Sequence, residues 1–381
     1  MRYLPEGLAL AVLFSVAGAM APAQAGSAIV AGGTHACALT SDGGVKCWGE
    51  NGLGQLGDGT NTPRNTAGFV RGLRSGVVAL AAHLHHTCAL TDFGGVKCWG
   101  HNVEGQLGDG TKSNRNKPAF VKGLRSGVID VAAGGFHSCA VLETGRAKCW
   151  GDNLRGQLGD GTNIDRLTPV FVKKLSGVAI IDAGYRHTCA VTAAGRAKCW
   201  GNNHYGQLGD GNHLIEFQPT PVNVLGLTSG VTAITGGADS TCAQINDGSA
   251  KCWGWNNSGK LGDGTTEDRR EPVLVKQFQN GGPGISTTFL HTCALTSNGG
   301  VRCWGSNGQG QLGDGTTDDR HIRVAVTGLG GVVTAIAAGN THSCAKLENG
   351  RAKCWGDNFF GQLGDGTNID RLTPVKVIRL N

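Results

Sequence analysis

Fourteen cysteines punctuate this 381-residue chain as seven pairs, the members of each pair ten positions apart. They are Cys37 and Cys47, Cys88 and Cys98, Cys139 and Cys149, Cys189 and Cys199, Cys242 and Cys252, Cys293 and Cys303, and Cys344 and Cys354. Thiols at a fixed spacing can hold zinc or be oxidised to disulfides. Zinc takes four donors, and no two further ligands recur beside each pair. A glycine follows the midpoint of every pair, at Gly43, Gly94, Gly145, Gly195, Gly248, Gly299 and Gly350. A three-residue hairpin loop, a type I turn followed by a left-handed residue, wants glycine at that third place. With Ser41-Asp42-Gly43 as the loop, Thr40 pairs with Gly44 and Cys37 falls directly opposite Cys47, close enough for a bridge. Seven disulfides are expected, one per pair.

Two other residue types recur with chemical potential. Histidine stands two residues before the first cysteine at His35, His86, His137, His187, His291 and His342, with Ser240 in the fifth unit. A catalytic base need not occur six times; a buried histidine pinning a loop by hydrogen bonding fits better. His83, His85 and His101 lie outside that shared position and leave a metal-site alternative open. The GDG aspartates, Asp58, Asp109, Asp160, Asp210, Asp263, Asp314 and Asp365, invite a calcium reading. They lack the alternating acidic ligands and distal Glu of a calcium loop, so an aspartate turn between two glycines is expected.

These residues sit in a unit repeated seven times at steps of 50 to 53 residues, the signature of a solenoid, propeller or array. Each unit offers four short runs rich in Val, Ile and Thr, bounded by Gly, Asn, Asp and Pro. Examples are Val77–Leu80, His86–Leu90, Gly95–Trp99 and the Pro-led Pro374–Val377. No amphipathic helical period appears in the mature chain, so the protein is expected to be all-β. Seven tryptophans follow the second cysteines: Trp48, Trp99, Trp150, Trp200, Trp253, Trp304 and Trp355. A large ring at one place in every unit packs neighbours together rather than holding a ligand, with Leu56 and its counterparts as companions. The first and last units are as regular as the middle ones, which favours a closed ring over a capped solenoid. The chain should end on a fourth strand, Val375 to Leu380, bringing the termini together.

Residues 1–25 stand outside the repeat. Leu8 to Met20 is an apolar run and Ala23-Gln24-Ala25 fits a small-x-small cleavage site, so 1–25 reads as a signal peptide and 26–381 as the propeller. An uncut N-terminal anchor is the alternative. Export implies an oxidising compartment, secreted or periplasmic. No later segment is apolar for long enough to span a bilayer. The formal charge of +6 is mild and does not compel a nucleic-acid partner.

The motif A-G-x-x-H-[ST]-C-A-[LV], followed by G-x-x-K-C-W-G-x-N-x-x-G-Q-L-G-D-G-T, resembles the regulator of chromosome condensation repeat over residues 27–381. That resemblance implies a seven-bladed β-propeller of four-stranded antiparallel blades. The family includes nuclear guanine-nucleotide exchange factors, ubiquitin-ligase modules and secreted bacterial proteins, one an inhibitor of β-lactamases. The chain is closest in character to the secreted members. The export signal, the cysteine pairs and the lack of an inserted wedge set it apart from the exchange factors.

In an up-and-down blade the first–second and third–fourth loops share one face. The first carries an unshared dipeptide in each unit, among them Leu84-His85, Phe136, Tyr185-Arg186 and Phe289-Leu290; the second carries Tyr205, Trp255 and Phe359-Phe360. Aromatics and arginine on variable loops suggest a protein-binding face, with capping of the channel as the alternative. Units three and seven share RAKCWGDN and GQLGDGTNIDRLTPV, but between those strings have Leu154-Arg155 and Phe359-Phe360 respectively. On the opposite face Arg71, Arg74, Lys122, Arg125, Lys173 and Lys174 read as a solvated rim, with a polyanion site as the alternative. The expectation is a monomeric, non-enzymatic, cofactor-free module that binds another protein, with no nucleic acid and no metal. An exchange-factor-like regulator and an enzyme or glycan-binding propeller are the alternatives.

Overall fold

The computed structural model describes residues 28–212 and 214–380, so the expected signal at 1–25 lies outside the described residues. Within them the chain forms seven four-stranded antiparallel sheets in sequence order around a channel. Blade one consists of β1 (Ile29–Ala31), β2 (His35–Leu39), β3 (Val45–Gly49) and β4 (Arg64–Phe69). First strands line the channel and fourth strands form the outer edges. The outer strand of blade seven starts at Arg371, before Pro374, and stops at Lys376 rather than Leu380. Val377 and Leu380 instead turn inward and are buried. Proline is tolerated within these outer strands because an edge leaves some backbone N–H groups unpaired.

The hairpin reasoning holds in every blade. Cys37 lies opposite Cys47 with Cα atoms 4.1 Å apart, the Thr40 N–H donates to the Gly44 carbonyl, and Gly43 has φ +70°. The six other bridges repeat this arrangement, and among the described residues no cysteine is free. The GDG aspartates are turn devices: Asp109 accepts the Thr111 N–H and hydroxyl and holds Arg115 at 2.8 Å. Buried Asn51 completes the loop, accepting the Leu56 N–H and donating to the carbonyls of Thr60 and Thr62.

Each tryptophan belongs to its neighbour's core. The Trp99 indole donates 2.9 Å to the carbonyl of Gln55 in blade one and packs with Leu56, Val70 and Leu73 of that blade. A Cβ on Gly57 would lie 2.7 Å from the Trp99 Nε1, so the glycine of GQLG is needed for close approach as well as for its φ of +66°. The same interlock closes the ring, where Trp48 of blade one donates to Gln362 of blade seven.

The histidines run a second interlock. His35 Nε2 meets Thr87 Oγ1 of blade two at 2.8 Å, and His86 meets Ser138 of blade three at 2.9 Å. Ser138 donates onward to the Gln106 carbonyl, so its oxygen accepts from His86, which fixes the imidazole as the neutral Nε2–H form. Burial lowers His35, His137, His187 and His291 to about 3. At the seam between blades seven and one, Ala36 takes the hydroxyl position, and His342 has no hydrogen-bond partner on either nitrogen. Lysines bridge that seam instead: Lys46 Nζ donates to the carbonyls of Arg379 and Leu380, and Lys346 Nζ to that of Leu39.

One residue breaks the repeat inside the core. Where six blades have the Gln of GQLG, blade five has Lys260, fully buried, its Nζ 2.9 Å from the Phe289 carbonyl and 4.4 Å from the Trp255 ring centre. Desolvation lowers it to about 7, opposed by the charges of Asp239 and Asp268.

Two outcomes follow. The shared histidines have folded pKa values below their unfolded value, so the stability they allow is complete above about pH 6.5 and is lost as pH falls toward 3. Each adds a slope of about 1.4 kcal/mol per pH unit in that window. Burial lowers His342 to about 4, so denaturant titrations between about pH 4 and 6.5 should show His342→Gln, which removes this group, with a slope shallower by one proton; an unchanged slope would contradict the assignment. Lys260 is also depressed, so its penalty is absent above its unfolded value and grows as pH falls toward 7. Lys260→Gln should therefore stabilise the protein by about 1–3 kcal/mol near neutrality and by less around pH 10.

Candidate functional site

The turns between first and second strands meet in an inner rim around the channel mouth. There the Gly33 N–H donates to the Leu84 carbonyl, the Gly135 N–H to Gly184, and the Tyr185 N–H to Gly237. Leu84 faces inward and is buried, so its contribution is to this rim. The mouth itself is roofed by rings. Phe136 of blade three packs edge-on against Tyr185 of blade four at 5.4 Å, and Tyr185 packs on Phe289 of blade six at 5.4 Å. His83 lies 6.3 Å from Phe289, and His101 lies 6.0 Å from Phe136. These residues are half-buried or buried. Three of the expected partner-binding aromatics, Phe136, Tyr185 and Phe289, therefore form one continuous surface over the channel.

Polar and ionisable side chains frame that roof. His85 sits 3.7 Å from Glu50 of blade one, and Arg186 lies over the Tyr185 ring, 3.8 Å from Asp152 of blade three. Asp239 accepts from Asn202 and Gln207, and burial raises its pKa despite the nearby Lys260 charge. Leu290 is half-buried, and its carbonyl accepts the Ser306 N–H.

Two further groups stand outside the roof. Tyr205 packs on His204 at 4.7 Å and on Trp255 at 6.0 Å, with Lys260 beneath Trp255. Phe359 and Phe360 pack edge-on at 4.9 Å; Phe359 is 72% exposed. Phe360 lines a groove of about 320 Å³ with Pro63, Arg64, Asn65, Thr66 and Asn368 at the seam.

Below the roof the channel encloses about 130 Å³. Asp182 is held at about 6, raised by burial and partly offset by the N–H groups of Gly236 and Ala183. Its Oδ2 accepts the Gly236 N–H of the next blade at 3.0 Å, and Ser286 accepts the Ala338 N–H in the same manner. Among the described residues no three His, Cys, Asp or Glu side chains gather to hold a metal. His83 Nδ1 is occupied by the Leu84 N–H.

Sequence reasoning left Lys260 and the roofing role of His83 unread, although both break a pattern: Lys260 replaces Gln in GQLGDG, and His83 replaces Gly at the end of a first strand. It also left unread an arrangement on the opposite face. The lysine in the second position of the third strand of blades one to three pairs across to the outer strand, Lys46 with Phe69, Lys97 with Phe120 and Lys148 with Phe171. Each phenylalanine ring meets a second cation, Arg74 at 4.6 Å, Arg125 at 4.6 Å and Arg146 at 3.6 Å.

A family model described as the RCC1-like domain matches residues 14–326, and models of the regulator of chromosome condensation (RCC1) repeat match 333–362 and 349–381. The chain is 33% identical over 356 residues to the ultraviolet-B receptor UVR8 of Arabidopsis thaliana, covering 92% of this chain and 69% of that protein. It is 32% identical over 336 residues to the E3 ubiquitin-protein ligase HERC2 of Mus musculus, covering 87% of this chain but only 6% of the ligase. Among solved structures, Prp20p from Saccharomyces cerevisiae superposes with a TM-score of 0.77 at 21% identity, covering 89% of this chain and 87% of that one. Human WBSCR16 superposes with a TM-score of 0.72 at 22% identity, covering 88% and 93% respectively. No helix among the described residues is long and apolar enough to cross a membrane. With seven repeats, seven blades and a family match over most of its length, the chain belongs to the RCC1-like propellers.

Proposed function

We propose that this propeller is an exported, disulfide-stapled protein-binding module that recognises its partner through the loop face and catalyses no reaction itself. The single observation that carries the reading is the distribution of aromatics. The core tryptophans are spent on joining blades, while a second set of rings, Phe136, Tyr185, Phe289, Tyr205, Trp255 and Phe359, gathers on one face only partly buried or exposed. Rings already held by neighbours lose little freedom on binding, which is why aromatic and arginine anchors dominate protein interfaces. The polar frame of Glu50, His85, Asp152 and Arg186 would supply register and partner choice. Relatives named as a receptor and as ubiquitin ligases support a binding role for the architecture.

An exchange-factor-like activity is the second reading and rests on membership of a family that includes exchange factors; the likeness to Prp20p, at 21% identity, extends to the fold alone. The bridge in each blade favours an oxidising compartment over the cytosol.

Two measurements test the proposal. Intact mass of the secreted protein after thiol blocking should show a chain beginning near Gly26 with no reactive thiol until reduction. Free thiols on an uncut chain would overturn the export reading. Pull-downs of extracellular proteins with the oxidised chain should yield a partner that a quadruple Phe136→Ala, Tyr185→Ala, Trp255→Ala, Phe359→Ala variant captures at least about a hundredfold less well. Equal capture by that variant would move the interface elsewhere.

A further inference from the structure

The face opposite the loops, built from the second–third strand hairpins and the links between blades, carries an unbalanced charge. In blades one to three each blade places one carboxylate there, Asp42, Asp92 or Glu143, against three or four lysines and arginines. Arg71, Arg74, Lys122 and Arg125 are exposed, and no carboxylate lies within ion-pair distance of any of them among the described residues. Stacking on Phe69 and Phe120 holds Arg74 and Arg125 in place. Blade three reaches the same arrangement by another route. Its link is one residue shorter and lacks the arginine that stands at Arg74 and Arg125 in blades one and two, and Arg146 from the hairpin takes the place over Phe171. Two different sequence positions thus deliver the same cation.

The same face exposes apolar side chains. Phe93 at the hairpin tip of blade two is 82% exposed, Val78 52% and Ile129 40%. A soluble polyanion would neutralise the cations and leave these side chains in water. A nucleic acid would want bare ring faces to stack on, and Phe69, Phe120 and Phe171 are already covered by cations. An anionic bilayer satisfies both features, taking the cations at its phosphates and Phe93 at the headgroup boundary.

We propose that the hairpin face of blades one to three docks this propeller onto an anionic lipid surface, leaving the aromatic loop face pointing away from the membrane. The proposal does not depend on the identity of the protein partner, because it uses the other side of the disc.

The test is co-sedimentation of the oxidised protein with phosphatidylcholine vesicles, with and without phosphatidylglycerol. Binding is expected only with phosphatidylglycerol, weakening by about tenfold or more as salt shortens the Debye length. The fourfold charge reversal Arg71→Glu, Arg74→Glu, Lys122→Glu, Arg125→Glu should reduce it by about a hundredfold, and Phe93→Ala by several-fold. Reversal of Lys112 and Arg155 on the loop face serves as the control and should change it little. The proposal is overturned by equal partition into both vesicle types, by equal loss in the control, or by retention on dextran sulfate without any binding to vesicles. A loop-face variant that loses its protein partner but still sediments would separate this proposal from the protein-binding one.

Discussion

The indole of one blade donating into a backbone carbonyl of the blade before it is the contact on which this architecture rests. Sheets of five- and six-residue strands bury too little to be stable alone, and each has two faces to cover. The tryptophan covers one neighbour's GQLG loop, the loop's glycine leaves room for the ring, and the leucine beside it fills the space behind. Because the donor is on one blade and the acceptor on another, the bond forms only when neighbours are in register, and seven such bonds close only as a ring. Histidine adds a second register bond at the inner end of five of the seven interfaces and is kept neutral by burial, so the same device that orders the blades makes them sensitive to acid.

Much of this was legible in the chain because it is stated seven times. Cysteine spacing and a glycine past the midpoint determine the hairpin register, and the register determines the bridge. The tryptophans announced themselves as packing residues by recurring. The aspartate of GDG could be assigned to a turn because the other ligands of a calcium loop were missing. In each case the physics is local, within about a dozen residues.

The site was less legible for the opposite reason. Phe136, Tyr185 and Phe289 belong to different blades, and their meeting depends on the width of the channel mouth, which no single repeat encodes. The loops were identifiable as variable, but whether a variable ring points outward or across the channel is set by the curvature of the whole assembly. Lys260 and His83 show the converse. Each is visible as a departure from the repeat, yet its meaning comes from neighbours in another blade: the Phe289 carbonyl for Lys260 and the Phe289 ring for His83. The outer strand was misjudged at its start because proline was read as a beginning, whereas an edge strand can carry proline in its middle.

The bridges have a consequence for how the molecule is made. Every bridge joins a cysteine to the next one along the chain and closes a loop of ten residues, while the following pair lies some forty residues further on. Were the chain exported as proposed, it would present its thiols in order, so that when the second cysteine of a pair emerged, its correct partner would be the nearest thiol available. Loop-closure entropy favours that short connection over any longer one. Oxidation can then keep pace with emergence, one blade at a time, and a chain with fourteen cysteines need not search among the many pairings that number permits.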